Sequence, residues 1–338
     1  MKKLISFVLA LTLLLSLTAC GEANQKPGNN EGEVTWPQYP VTLYCAASAG
    51  GGTDLAARVM AEELSTYGSS SFGVVNLTDG GGVVAYETVK NSDSEVCDEM
   101  IFYLSGIYVT YLAGAMNINP VDDFVTVFCA TNDTSYYMVT RPDAPWDDFA
   151  SLLAYTKEHP GEVTIGTPSA ACLTTLQISY LEEQTGINWK IVAAESDSVA
   201  IGQVIGGNLD LYLTNQSTTQ SYYEAGEIKV LCNIHGHNES ASDLLNSVPS
   251  LADLGYEDCT IKNNFTVLAP KGADEKVYAK MNEWFVKAFA SERVQSDFAA
   301  RNVMYTSVGD LETTLSVCND TMAELSGLWD SYIQKYGA

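Results

Sequence analysis

Basic side chains are scarce in this sequence: 17 Lys and Arg stand against 42 Asp and Glu, a formal charge of −25. A protein that grips a phosphate backbone needs a basic face. Basic residues this few and this dispersed supply none, so no nucleic-acid partner is expected. Anionic membrane surfaces are disfavoured for the same reason. There are only three histidines, and the eight cysteines form no Cys-x-x-Cys pair. That leaves no pattern for a zinc site, and no metal or other cofactor is expected. Beyond the first twenty residues no apolar run approaches the roughly 18 residues of a membrane span. Apolar residues as such are plentiful, at 46% of 338 residues. That content rules out a disordered chain, and the length exceeds what one core usually serves, so two domains are expected.

The N-terminus reads Met1-Lys2-Lys3, then an apolar run from Leu4 to Leu15, then Ser16-Leu17-Thr18-Ala19-Cys20. A charged start and a short apolar stretch describe an export signal rather than a membrane helix. Leu17-Thr18-Ala19-Cys20 resembles a bacterial lipobox, in which the cysteine takes a diacylglyceryl group and cleavage follows Ala19. Residues 1–19 are therefore expected to be a lipoprotein signal peptide and Cys20 the lipid attachment that holds the chain outside the cytoplasm. Residues 20–36, with Asn24-Gln25-Lys26-Pro27-Gly28-Asn29-Asn30, lack large apolar side chains and read as a flexible tether. Fully extended at roughly 3.3 Å per residue, it reaches about 50 Å.

The remaining cysteines, Cys45, Cys97, Cys129, Cys172, Cys232, Cys259 and Cys318, are odd in number and mostly flanked by apolar residues. They read as small buried hydrophobes. Free thiols in an exported chain point to a non-oxidising habitat, with one or two disulfides as the alternative.

From Val41 onward short apolar strands alternate with helical patterns. Strands are expected at Val41–Ala46, Phe72–Asn76, Met100–Leu104, Val125–Ala130, Tyr136–Thr140, Val163–Gly166, Trp189–Ala193, Leu209–Leu213, Ile228–Asn233 and Phe265–Ala269. The best 3.6-residue periodicity falls at Cys172–Gln184 and Asp274–Phe289. Alternation of this kind predicts an α/β protein with doubly wound, mainly parallel sheets. Arg141-Pro142-Asp143-Ala144-Pro145 is the expected domain crossing, because its prolines favour extended backbone. The lobes are then 37–140 with 256–338, and 141–255.

Three turns carry chemistry. Ser48-Ala49-Gly50-Gly51-Gly52-Thr53-Asp54 leads from a strand into a helix, Thr78-Asp79-Gly80-Gly81-Gly82 repeats the arrangement, and Gly166-Thr167-Pro168-Ser169-Ala170 follows a later strand. Glycines let backbone amides approach a ligand, and a helix start leaves unpaired N–H groups with partial positive charge. Such turns hold a carboxylate without any Lys or Arg. Thr53 and Asp54 as simple helix caps are the plainer reading. Two glycine turns in one lobe and one in the other describe a cleft between lobes.

Gly50-Gly51-x-Thr53-Asp54 with Ala57-Arg58, then Asn76, Gly207-Asn208-Leu209-Asp210-Leu211, Gly226-Glu227-Ile228-Lys229, Val248-Pro249-Ser250-Leu251 and Leu268-Ala269-Pro270-Lys271-Gly272 resemble, in order, the Bug family. These are the substrate-binding proteins of tripartite tricarboxylate transporters. The resemblance covers nearly all of 40–338. It implies a two-lobed type II periplasmic-binding fold without catalysis or cofactor, and a monomer that delivers a small carboxylate to a permease of one large and one small subunit. On this reading Ser48, the amides of Gly50 to Asp54 and of Gly80 to Gly82, Thr167 to Ala170, Ser196 and Asn215 bind the ligand. Asp54 caps its helix or meets a ligand proton donor. The departures are Asp79 and Glu195, which add acid where the family has none and favour a less anionic or zwitterionic solute.

Other readings rest on fewer residues. Ala46-Ala47-Ser48-Ala49-Gly50 is similar to a hydrolase nucleophile elbow, with His235 or His237 as base and Asp210 as orienter. His235-Gly236-His237 is expected to be loop surface, a metal-binding lipoprotein being its alternative. Tyr103, Tyr108, Tyr111, Tyr136 and Tyr137 read as packing, with a minority lining the cleft. An adhesin or scaffold on the same fold is the remaining non-transport reading.

Overall fold

The computed structural model describes residues 34–338, apart from 133–134, 195–196, 236–242, 257–260, 262, 302 and 338. The signal peptide, Cys20, most of the tether, Glu195, Ser196, His237 and Cys259 lie outside the described residues. Residues 36–338 form one compact unit.

Eleven strands build two sheets. They are β1 (Val41–Cys45), β2 (Phe72–Asn76), β3 (Glu99–Leu104), β4 (Phe124–Asn132), β5 (Tyr136–Thr140), β6 (Thr164–Thr167), β7 (Lys190–Ala193), β8 (Leu211–Asn215), β9 (Lys229–Asn233), β10 (Phe265–Pro270) and β11 (Tyr305–Ser307). The helices are α1 (Gly52–Leu64), α2 (Val83–Lys90), α3 (Ile107–Leu112), α4 (Phe149–Glu158), α5 (Leu173–Thr185), α6 (Asp197–Ile205), α7 (Gln216–Glu224), α8 (Asp243–Asn246), α9 (Glu275–Phe289), α10 (Glu292–Ala300) and α11 (Leu311–Tyr336).

The first sheet has the order β11-β4-β10-β3-β1-β2 and the second β7-β6-β8-β5-β9. In the first, β1 pairs parallel with β2 and β3, while β10 runs antiparallel between β3 and β4. In the second, β6 pairs parallel with β7 and β8, and β5 runs antiparallel between β8 and β9. Most strands of each sheet thus run one way. The reversed central strand is the one the chain enters on arriving from the other lobe. Both faces of that strand are covered: every residue of β10 is buried, as expected for a central strand with helices on either side. Edge strand β2 instead buries only Phe72 and then alternates exposed with half-buried positions.

One boundary differs from the sequence expectation. Tyr136–Thr140 pairs with β8 and β9, so the chain changes lobe between Asn132 and Tyr136, not at Arg141-Pro142. The prolines mark the exit from β5 toward α4. The crossing itself is fixed by buried polar groups: Asn132 donates its N–H to Asn264 Oδ1 (3.4 Å), and Asn264 exchanges hydrogen bonds with Ser105 (2.9 and 2.8 Å).

Helix α11 links the lobes. Its Leu325, Trp329 and Tyr332 pack with Tyr108 of α3 and with Leu173 and Leu176 of α5. At its end Lys335 Nζ lies 2.7 Å from Glu182 Oε2 on α5, and Tyr336 O–H donates to the same carboxylate. Glu182 is 1% exposed and also accepts the Trp189 N–H at 2.5 Å. Of the described cysteines, Cys45, Cys97, Cys129, Cys232 and Cys318 are buried and Cys172 is half-buried. Among the described residues no helix is long and apolar enough to cross a membrane.

Candidate functional site

The carboxyl ends of the parallel strands of both sheets meet around a cavity of about 530 Å³. Such strand ends are where open α/β sheets place ligands. From the first lobe come Gly52 and Thr53 at the start of α1, Leu104 at the end of β3, Asn132 at the end of β4, and Arg301, Val303 and Tyr305 around β11. From the second come Tyr136, Asp197 at the start of α6, Asn215 at the end of β8, and Ser217 and Thr218 in the first turn of α7.

Three helix starts therefore face the cavity, those of α1, α6 and α7. Helix α1 has Gly51 at its N-cap and no side-chain cap, so its first-turn amides are left to a ligand or water. On α7 the Asn215 side chain accepts the Thr218 N–H at 3.0 Å, and the Gln216 N–H bonds Ser135 C=O at 3.0 Å. The partial positive charge of the α1 and α7 starts favours an anion.

The first glycine turn is held from beneath by Asp54, which is 2% exposed. Its carboxylate accepts from the Gly50 N–H (2.8 Å), Asn76 Nδ2 (2.8 Å) and Arg58 Nε (3.0 Å), with Arg58 Nη2 2.9 Å away. Burial pushes this carboxyl up, but the Arg58, Gly50 and Asn76 hydrogen bonds outweigh it and hold the pKa below its ordinary value. Asp54 is thus neither an N-cap nor open to a ligand; it shapes the turn. Gly50, at φ +79°, takes the left-handed conformation that aims its N–H inward.

Of the expected site residues, Gly52, Thr53 and Asn215 line the cavity. Ser48, Gly50 and Gly51 sit on the exposed turn just before it, with the Ser48 C=O accepting the Gly51 N–H at 3.1 Å. The second glycine turn lies apart from the lining residues. Gly80, Gly81 and Gly82 all have positive φ, and a Cβ on Gly82 would stand 2.8 Å from Ala46 Cβ, so close packing on the end of β1 requires glycine there. Asp79 is exposed. The third turn closes on itself: Thr167 Oγ1 meets Thr175 Oγ1 at 2.7 Å, and Thr175 donates to Ser169 C=O at 2.6 Å. Thr167 is buried there, while Pro168, Ser169 and Ala170 are exposed and none of the four lines the cavity.

The hydrolase reading is dismantled by strand polarity. Asp210 precedes β8, at the opposite end from Asn215, and is engaged by Thr164 Oγ1 (2.7 Å) and Arg141 (3.0 Å). His235 follows β9, is half-buried rather than on the loop surface, and pairs with Gln177 Nε2 at 3.0 Å over the Tyr136 ring. Asp210 does not orient it. Among the described residues no group of three or more His, Cys, Asp and Glu side chains converges as a metal site.

Sequence reasoning missed Arg301, Asp197, Tyr305 and the Ser217–Thr218 turn, and held Tyr136 only as one of several tyrosines of which a minority lines the cleft. Arg301 is the one cation among the described lining residues. It pairs with Asp297 four residues back, and its Nη2 lies 3.5 Å from Leu55 C=O of α1. Burial lowers its pKa, partly offset by Tyr305. Asp197 accepts the Tyr212 O–H. Burial pushes Tyr136 up to about 12, and the Asp197 charge adds to the effect. A signal for Asp197 existed in its closeness to Glu195 and Ser196; for Arg301 there was only the rarity of basic residues.

Known proteins resemble this chain in sequence and in fold. The model of the tripartite tricarboxylate transporter family receptor matches residues 56–333. The protein BugT of Bordetella pertussis is 26% identical over 273 residues, covering 79% of this chain and 81% of its own. A TctC solute-binding protein from Polaromonas superposes with a TM-score of 0.71 at 20% identity, over 88% of this chain and 99% of that one. An R. palustris protein solved with adipate gives a TM-score of 0.73 at 21% identity, over 88% and 98%.

Proposed function

The chain belongs to the tripartite tricarboxylate transporter receptor family, a family of extracytoplasmic solute-binding receptors rather than enzymes, and from that premise we propose that it captures a small carboxylate in the cleft between its lobes and delivers it to a membrane permease. The observation that carries this reading is the cavity lined from both lobes by helix starts, α1 from one and α6 and α7 from the other. The α1 start has no side-chain cap. Amides of Gly52 and Thr53 and the Thr53 hydroxyl supply donors to a carboxylate. Closure is a hinge motion about the crossings at Asn132 and Asn264. The adipate-bound R. palustris protein supports a carboxylic acid as the class of solute.

The chain works as a monomer, tethered through residues 20–36 to a lipid on Cys20. A Cys20→Ala chain then leaves the membrane fraction. Capture itself is tested by thermal shift on residues 36–338 against mono-, di- and tricarboxylates and amino acids. A ligand at a hundredfold excess over Kd stabilises by about 2.7 kcal/mol. A Cβ on Gly52 meets nothing within 4 Å, so Gly52→Val projects into open space without disturbing the fold. It is expected to cost at least about tenfold in affinity, about 1.4 kcal/mol, at an unchanged melting temperature. Unchanged affinity in that variant sinks the assignment of α1 to the site.

A further inference from the structure

The charges facing the cavity are few and opposed. Among the described lining residues there is one cation, Arg301 of the first lobe, and one anion, Asp197 of the second. Arg301 already shares its charge with Asp297 and is steadied by the Leu55 carbonyl of α1. It does not act as a full positive charge awaiting several carboxylates. Asp197 is exposed at the start of α6, one oxygen accepting the Tyr212 hydroxyl. Among the described lining residues the remaining positive character is the partial charge of helix starts: those of α1 and α7 are open to one carboxylate, while that of α6 already carries Asp197.

A di- or tricarboxylate seated on those amides would bring its second carboxylate against Asp197, where like charges repel. An ammonium in the same place is attracted, and offers three N–H donors to a wall of oxygen acceptors from Asp197, Ser217 and Thr218. The cavity, at about 530 Å³, leaves room for a side chain.

We infer that the solute is a zwitterion of the α-amino acid type, its carboxylate on the α1 side of the cleft near Thr53 and Arg301 and its ammonium on Asp197 across the cleft. This rests on the receptor reading and narrows it to a substrate class. Asp197 is the residue that selects for the amine, and the receptor discriminates against acids that lack one.

Calorimetry on residues 36–338, with matched pairs, tests it: alanine against propionate, leucine against 4-methylpentanoate, aspartate against succinate. The expected result is that for at least one pair the amine raises affinity tenfold or more. Asp197→Asn is then expected to remove that advantage while the affinity for the amine-free acid stays or rises. The melting temperature of the free variant controls for folding. Should succinate or citrate bind as tightly as any amino acid, with Asp197→Asn indifferent, the zwitterion is overturned and the receptor reading stands. If no acid of either kind binds, both fall together.

Discussion

Asp54 shows how a residue named for one role serves another. In the sequence it stands beside three glycines at a helix start, and its apparent choices are a cap or a ligand contact. In the fold its carboxylate is buried and gathers Gly50, Asn76 and Arg58. Asp54→Asn, measured by urea unfolding near neutral pH, is expected to cost about 1–3 kcal/mol, the range for a hydrogen-bonded charge. Because the folded pKa lies below the ordinary 3.8, the stabilisation is fully present above that value and fades as the pH falls through the folded one. The gap between wild type and Asp54→Asn therefore narrows in acid; a gap constant down to pH 3 or so contradicts the assignment. Single glycines were equally ambiguous in the sequence. Gly52 faces the cavity and Gly82 faces Ala46, yet both stand in the same strand–glycine–helix pattern.

Elements were more legible than sites. The helix expected over Cys172–Gln184 is Leu173–Thr185, and that over Asp274–Phe289 is Glu275–Phe289. The apolar face that sets such a period is a local property: on α9 the buried apolar positions are Tyr278, Met281, Phe285, Ala288 and Phe289. Strand β11 escaped because three residues, Tyr-Thr-Ser, carry no period. The site escaped with it, since Arg301, Val303 and Tyr305 reach the cleft only through the pairing of β11 with β4. Sequence order does not reveal that neighbour. At this scale α11 also makes a prediction. Lys335→Met leaves the buried Glu182 with one fewer donor and is expected to lower stability by about 1–3 kcal/mol in thermal unfolding. No change would mean that Trp189 and Tyr336 suffice for that carboxylate.

For the whole molecule, charge and site pull in opposite directions. A chain at −25 repels an approaching anion, and the repulsion shrinks as salt screens it. If the solute is an anion, its association rate rises from low to physiological ionic strength. For a neutral zwitterion the rate stays flat, which is the expected outcome of stopped-flow binding with a neutral amino acid. A rate that climbs steeply with salt argues for a net-negative solute.

The reversed central strand of the first sheet fixes the order in which the two sheets can be completed. The second sheet takes all its strands from residues 136–233, one continuous stretch. The first does not: β10 lies between β3 and β4, and it arrives more than a hundred residues after β4 has been made. Until then β3 and β4 have no strand between them, and the lobe that comes first in the sequence cannot close. During synthesis the second sheet is the first to have all its strands present. The N-terminal strands wait, half-paired, for the C-terminal third, so a nonsense or cleavage event near residue 256 leaves a finished second lobe carrying an open, aggregation-prone first sheet.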